Sequence, residues 1–528
     1  MKKMTYFVMA LAMALGFTQC KKEQIASTEN EGEKVTITLK LNNGSRGHIE
    51  PGENTAAVVY DDGDVIMVGF NGAYVGDLTT TDGSTFSGNV NISGEPTDGK
   101  IHFYYLDGKS QTVNNGQCTI DISDQTSGLP VISYACVDYR SDNNYSDVKM
   151  RNKCALVKFN LANGTTDAVA VGGMMTKATI DFADPGVVAP STAGEITLHT
   201  GASNTEKWAI LLSQGAVANA SVAIGNSYLG YMVGVPAIED NDFAPNINTI
   251  DNSGTGNVVI LNRLTEDYMA QNGQVLTGKL ANNVKISIAD DATVTLDGVN
   301  ITNLGDNCDW AGINCPGDAT IILKDGSTNT VCAGRDGVGD SNYPGIWIAL
   351  NKKLTIKGDG QLTAYSNDPD SYGAGIGGGY EISCGSIEIQ GGVITATGGY
   401  MAAGIGSGSY DANCGAITIS GGTVTATGGD GAAGIGSGYY ASCGAITISG
   451  GTVTATGGYD AAGIGSGYYA SCGAITITTG VTQVTATKGE DAPNSIGAGV
   501  GEGGTCGTVT MGGVETGFIT QSPYTYVP

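Results

Sequence analysis

The sequence predicts an all-β protein in two parts: an antiparallel β-sandwich over residues 34–250, then a right-handed parallel β-helix of about eight to nine coils over 251–528. Three observations carry this expectation. Short runs rich in β-branched and aromatic residues, separated by Asn-Gly, Asp-Gly and Asp-Asp turns, fill the first part without a sustained helical period. A unit of about 29 residues recurs through the second part. Glycine supplies 83 of 528 residues, about twice its ordinary share, with only 13 prolines and no Gly-X-Y period, which excludes collagen.

The chain opens on Met1-Lys2-Lys3 and an uncharged apolar run from Tyr6 to Phe17. That run is too short to span a bilayer as a helix and suits the core of an export signal. It stops at Cys20, followed by Lys21-Lys22-Glu23-Gln24, and resembles a bacterial lipoprotein signal whose cysteine becomes the acylated N-terminus. Gln19 departs from the small residue usual before that cysteine. The expectation is a signal peptide over 1–19, a linker over 20–33 and attachment to outer-membrane lipid through Cys20 at the cell surface.

Acidic residues number 51 against 25 basic ones, a net charge of −26. Phosphate backbones are held by clustered Lys and Arg, so nucleic acid is excluded as a partner. Strands are expected at "KVTITLKL" (34–41), "VIMVGF" (65–70), "KIHFYYL" (100–106), "ALVKFNL" (155–161) and "WAILLS" (208–213), as one sandwich or two small ones. Cys118, Cys136 and Cys154 are odd in number and do not read as a disulfide framework.

The order of "SRG" (45–47), "DDGDVIMVGF" (61–70), "KCALVKFNL" (153–161), "GGMMTKATIDF" (172–182) and the late "WAILLS" strand resembles the fimbrillin family. These are fimbrial subunits and related surface lipoproteins of anaerobic Gram-negative bacteria, and the resemblance covers roughly residues 20–245. It implies a sandwich, fimbrial subunits as partners, and a protease that cuts after an arginine beyond the first strand. Arg46 sits where that arginine would be.

In the second part the units align on Cys384, Cys414, Cys443, Cys472 and Cys506, clearest over 374–513, with weaker forerunners at 284–303, 311–326 and 344–365. Within one unit Ile446 and Ile448 alternate with Thr447, and Val453 and Ala455 alternate with Thr452, Thr454 and Thr456. A period of two puts the apolar residues on one face and threonine on the other. Segments this short bury their apolar face only by stacking coil on coil. Three strands per coil would enclose a triangular core, with one ladder of Ile376, Ile405, Ile435, Ile464 and Val500 and another of the five cysteines as buried thiols. Disulfides between rungs are the rival for those cysteines.

Catalytic chemistry is sparse. The three histidines, His48, His102 and His199, all precede the repeat, and Arg335 is the sole arginine after Arg263. The Gly-His-Gly and Arg-x-Lys motifs of β-helix hydrolases are absent from this second part. Glycoside hydrolysis needs two carboxylates across the scissile bond, whereas the acid pairs Glu266-Asp267, Asp290-Asp291 and Glu490-Asp491 flank the regular repeat as solvated turns. No enzyme is expected.

The outward residues say more. Tyr380, Tyr410, Tyr439 and Tyr468 each stand four residues before a ladder cysteine, Tyr440 and Tyr469 double the row, and Tyr400 and Tyr459 recur at what reads as the opposite corner. Rings repeating every ~4.8 Å could stack on the sugars of an extended glycan and offer a hydroxyl besides. Asp411, Asp430, Asp460 and Asp491 occupy neighbouring corners and are calcium candidates, although the GGxGxDxUx calcium repeat does not occur. Thr395, Thr425, Thr454 and Thr485 form a hydroxyl column beside Thr397, Thr427, Thr456 and Thr487. The phrases "GGTVTATGG" and "AGIG" resemble Gly-rich β-helix lipoprotein domains that bind carbohydrate, some with calcium. That resemblance implies a non-catalytic adhesin for a polysaccharide or host glycan. The alternative is a structural fimbrial accessory, a tip or anchor subunit whose β-helix is a stiff spacer.

Overall fold

The structure is a computed structural model that describes residues 33–42, 48–50, 57–201, 203–240, 249–254, 256–281, 283–302, 308–334, 342–366, 371–501 and 504–528. The expected signal peptide, the lipidation candidate Cys20, the cleavage candidate Arg46 and Arg335 lie outside the described residues.

The described residues are all-β, with no α-helix and a single 3-10 turn at Leu261–Arg263. An eight-stranded sheet comes first, in the spatial order Asn144–Val148, Glu33–Leu41, Thr85–Ile92, Ala73–Thr80, Val65–Phe70, Lys100–Leu106, Ile132–Asp138 and Arg151–Asn152. Every neighbouring pair is antiparallel except Glu33–Leu41 with Asn144–Val148. The two-residue period works as expected: Ile37, Leu39 and Leu41 are buried while Thr38 and Lys40 turn outward.

A second layer follows. Val169–Asp181 pairs with Val188–Thr197, Val217–Ile224 and Gln117–Asp121, and Ala155–Asn160 pairs with Glu206–Leu211 in a three-stranded sheet. Both layers feed one hydrophobic cluster running from Ile37 to Ile250. Its aromatic rings meet edge to face, Tyr60 with Phe86 at 5.4 Å and Tyr104 with Phe182 at 5.0 Å, the arrangement ring quadrupoles favour.

A second core extends from Val259 to Met511 inside a parallel β-solenoid. One face is a nine-stranded sheet, Tyr268–Ala270, Ile286–Ile288, Ile313–Cys315, Ile346–Ile348, Ile376–Gly377, Ile405–Gly406, Ile435–Gly436, Ile464–Gly465 and Ile496–Gly497. A second face carries strands such as Ile446–Ile448, and a third those such as Thr452–Thr456. About seven turns have a strand on all three faces. Like residues stack in register: Ile417, Ile446 and Ile475 on the second face, Thr425, Thr454 and Thr485 on the third.

Two details differ from expectation. The outermost member of the isoleucine ladder is Ile496, paired with Ile464, and not Val500. Gly497 has φ +135°, like Gly436 at +139° and Gly465 at +137°, so Ile496-Gly497 continues the strand conformation of the rungs before it. Of the five residues by which the last cysteine spacing exceeds 29, three fall before that strand and two between it and Cys506. Further, the cross-section is not a plain triangle. Asn413–Cys414, Ser442–Cys443, Ser471–Cys472 and Thr505–Cys506 form a fourth, two-residue column. Its cysteines are thiols, not disulfides. Contact with the thiol of Cys384 and then burial hold Cys414 above its ordinary 9.0, and Cys443 does the same for Cys472.

Both ends of the solenoid are closed. Val258–Ile260 pairs antiparallel with Leu229–Val235 of the sandwich and parallel with Val275–Lys279, so one sheet passes between the two cores. Arg263 adds an ion pair to Glu195 at 3.1 Å and donates to the Gly225 carbonyl at 2.9 Å. At the far end the chain reverses and pairs antiparallel on all three faces: Val514–Glu515 with Val509–Met511, Ile519 with Ile496, and Tyr524–Tyr526 with Gln483–Thr487. The residues after Met511 that make this cap do not continue the repeat. The cap consumes edge groups that would otherwise accept another chain.

Candidate functional site

The candidate site is an edge of the solenoid between residues 371 and 501, and its shape begins with glycine. A Cβ on Gly436 would lie 1.8 Å from the carbonyl oxygen of Gly465, and the same holds for Gly406 against Gly436. Only glycine allows this rung-to-rung approach at positive φ. Past that strand the buried Ser407 hydroxyl accepts from the Gly438 N–H at 2.9 Å, and Ser466 from the Gly499 N–H at 3.0 Å. These contacts hold the Ser-Gly segment flat against the core, so the next residues turn outward. Glu381, Asp411, Tyr440 and Tyr469 then take left-handed φ of 54°, 56°, 48° and 47°. Such non-glycine residues cost on the order of 1 kcal/mol each, and stacking of the turn offsets it.

All six tyrosine candidates come together there. Tyr380 meets Tyr410 at 5.2 Å between ring centroids, Tyr410 meets Tyr439 at 5.5 Å, and Tyr439 meets Tyr468 at 5.2 Å. The second row runs alongside, Tyr410 with Tyr440 at 6.2 Å and Tyr440 with Tyr469 at 5.1 Å. Within one turn the rows touch, Tyr468 and Tyr469 at 4.4 Å and 78°. The geometry changes what these rings can do. Tyr440 and Tyr469 are parallel to within 8°, and Tyr439 and Tyr468 to within 14°, so ring faces are largely spent on one another. Tyr440 and Tyr469 nevertheless remain 43% and 36% exposed. Burial holds the Tyr439 and Tyr468 hydroxyls above their ordinary 10.0.

Tyr400 and Tyr459 are not at an opposite corner. The Tyr439 N–H donates to the Met401 carbonyl at 3.0 Å, the Tyr468 N–H to Gly431 at 2.8 Å and the Val500 N–H to Asp460 at 2.9 Å. The two turns therefore lie side by side, because the strand between them is two residues long and returns the chain to the same edge. Tyr372, absent from the sequence reading, touches both Tyr380 at 5.5 Å and Tyr400 at 6.3 Å. Tyr459, 48% exposed, has its hydroxyl on the Asp491 carboxylate, which raises its pKa. The sequence signal for this second turn was the recurring Gly-Gly-Tyr at 398–400 and 457–459.

The four aspartates do not converge on a single point. Asp430, Asp460 and Asp491 occupy successive copies of the second turn, and Asp460 is held above its ordinary carboxyl value by burial and then by the charges of Asp430 and Asp491. Asp411 belongs to the tyrosine turn, where its N–H donates to Tyr440 at 2.8 Å. Among the described residues the acidic group whose ligand atoms all lie within 4.8 Å of one another is instead Asp290, Asp291 and Asp318, several rungs upstream. Lys352 holds Asp290 there at 3.1 Å and pushes its carboxyl down, and the Asp318 N–H donates to it at 2.7 Å.

Four stretches of the solenoid, residues 354–380, 387–409, 417–439 and 446–468, match the family model of the beta helix repeat. No curated protein sequence matches the chain. Among solved structures, a candidate cell adhesion protein from Bacteroides uniformis is 16% identical, over 42% of this chain and 94% of that one, with a TM-score of 0.30. A second candidate cell adhesion protein, from Bacteroides ovatus, is 16% identical over 39% and 89%, with a TM-score of 0.27. The tip fimbrial protein Mfa3 from Porphyromonas gingivalis, truncated at its C-terminus, is 9% identical over 38% and 81%, with a TM-score of 0.22.

Proposed function

We propose that the protein is a non-catalytic cell-surface adhesin, lipid-anchored through Cys20, that holds an extended glycan along the tyrosine edge of the solenoid. The observation that carries this reading is the aromatic ridge, in which rings recur every 5.1 to 5.5 Å along the axis. That period is close to the length of one sugar residue, so each coil meets an equivalent part of a linear chain. Protonated hydroxyls on the ridge supply hydrogen bonds, and the less stacked Tyr400 and Tyr459 supply ring faces. The test is retention of the full chain on immobilised polysaccharides together with assay of the eluate. Retention without release of reducing ends or unsaturated products is expected, and product release would overturn the non-catalytic reading.

The second reading is a fimbrial accessory with the solenoid as a stiff spacer. It is favoured by the closure of both solenoid ends, one on the sandwich and one under the antiparallel tail. Cleavage after Arg46 and incorporation into mixed polymers would support it, and a chain that stays uncut and monomeric among candidate subunits would count against it.

A further inference from the structure

The tyrosine ridge runs through a stretch with an unusual charge pattern. Between residues 371 and 501 there are seven acidic side chains, one basic residue, Lys488, and no histidine or arginine. Glu381 and Asp411 belong to the ridge turn and Asp430, Asp460 and Asp491 to the turn beside it, whereas Glu388 lies on the second face in an ion pair with Lys353. Asp430 precedes Gly431, whose position a Cβ would bring to 2.9 Å from the Tyr439 ring, and the Asp460 carbonyl accepts from the Val500 N–H of the next rung, whose carbonyl in turn accepts from the Tyr469 N–H. Asp491 binds the Tyr459 hydroxyl. Lys488 is itself engaged, its ammonium donating to the Ala492 carbonyl.

Resting on the adhesin reading of the same edge, we propose that the ridge takes uncharged extended glycans, tolerates amino-bearing ones and refuses carboxylated or sulfated ones. Recognition of a carboxylate or sulfate relies on charge-assisted bonds from Arg or Lys, and this edge has no such group to offer. Its own carboxylates instead repel an anionic chain laid along the axis. Hydroxyl-rich sugars need neither. They are met by tyrosine hydroxyls, backbone carbonyls at the turns and aromatic edges, all of which are present on every regular rung. The repulsion is of modest reach and is screened by salt, so selectivity is greatest at low ionic strength.

The experiment is a retention assay of the full chain on a glycan array in three charge classes, neutral, amino-bearing and carboxylated or sulfated, with EDTA present to remove bridging cations. Neutral glycans are expected to retain the protein at least tenfold better than anionic ones at low salt, with the gap narrowing as salt is added. The triple variant Asp430→Asn, Asp460→Asn, Asp491→Asn is expected to raise the anionic-to-neutral ratio about threefold to tenfold at low ionic strength. Retention on anionic glycans equal to or tighter than on neutral ones would overturn the inference while leaving the adhesin reading intact. Retention on no class would overturn both.

Discussion

The sandwich and the regular rungs of the solenoid exclude water from their apolar residues equally well, and they do so by opposite means. In the sandwich each buried side chain has unique neighbours brought from far along the chain, as when Glu33–Leu41 lies between Thr85–Ile92 and Asn144–Val148. In the solenoid each residue meets itself one unit earlier and one unit later, as Ile446 meets Ile417 and Ile475. A side chain in the repeat must therefore be complementary to its own copy. Error tolerance follows from this: where backbone stacks on backbone there is no spare room, and at the open turns of the sandwich there is.

The largest expected effect lies at the end of the repeat. A chain ending at Met511 would leave the last strand of every face unpaired and uncover the contacts of Ile519, Tyr524 and Tyr526 with the core. We expect it to self-associate in light scattering where the full chain does not. A monodisperse truncated chain would mean that the cap is dispensable.

Glycine substitution compares the two regions directly. Gly436→Ala puts a methyl against the Gly465 carbonyl at positive φ and should cost about 3 kcal/mol or more in denaturant unfolding. Gly94→Ala, at φ +74° with nothing within 4 Å, should cost about 1 kcal/mol. Similar losses at the two sites would break the comparison.

Core truncation sharpens it. Ile446→Ala and Ile37→Ala each remove a fully buried side chain and should cost about 2–5 kcal/mol. The solenoid loss should be confined in hydrogen exchange to adjoining rungs, whereas the sandwich loss should be global.

The smallest effect concerns a buried charge. Lys207 is fully buried, with its ammonium bonded to the Thr165 carbonyl at 3.0 Å and the Thr200 hydroxyl at 2.9 Å. Burial pushes its pKa below the ordinary 10.5. Its penalty is complete below the folded pKa and fades as pH rises toward 10.5, so the sandwich should gain stability over that interval. Lys207→Met should stay within about 1 kcal/mol of the parent near neutrality and flatten that rise. An unchanged slope would show that Lys207 is not its source.

The sequence by itself determined what repetition and alternation dictate. The isoleucine and threonine registers, the cysteine column and the alignment of Tyr380, Tyr410, Tyr439 and Tyr468 were all legible. In each case the physical reason is that like residues at equal spacing have one way to stack in parallel register. Four things were decided only by the tertiary structure. Tyr400 and Tyr459 lie beside the ridge because a two-residue strand returns the chain to one edge, a length the sequence does not mark. The ring faces are turned toward one another, because side-chain tilt depends on the turn's left-handed residues. Ile496 displaced Val500 because the last unit carries extra residues on both sides of the strand, and pairing with Ile464-Gly465 sets its register. The tail after Met511 closes all three faces because its short apolar segments find their partners only once the final coil exists to receive them.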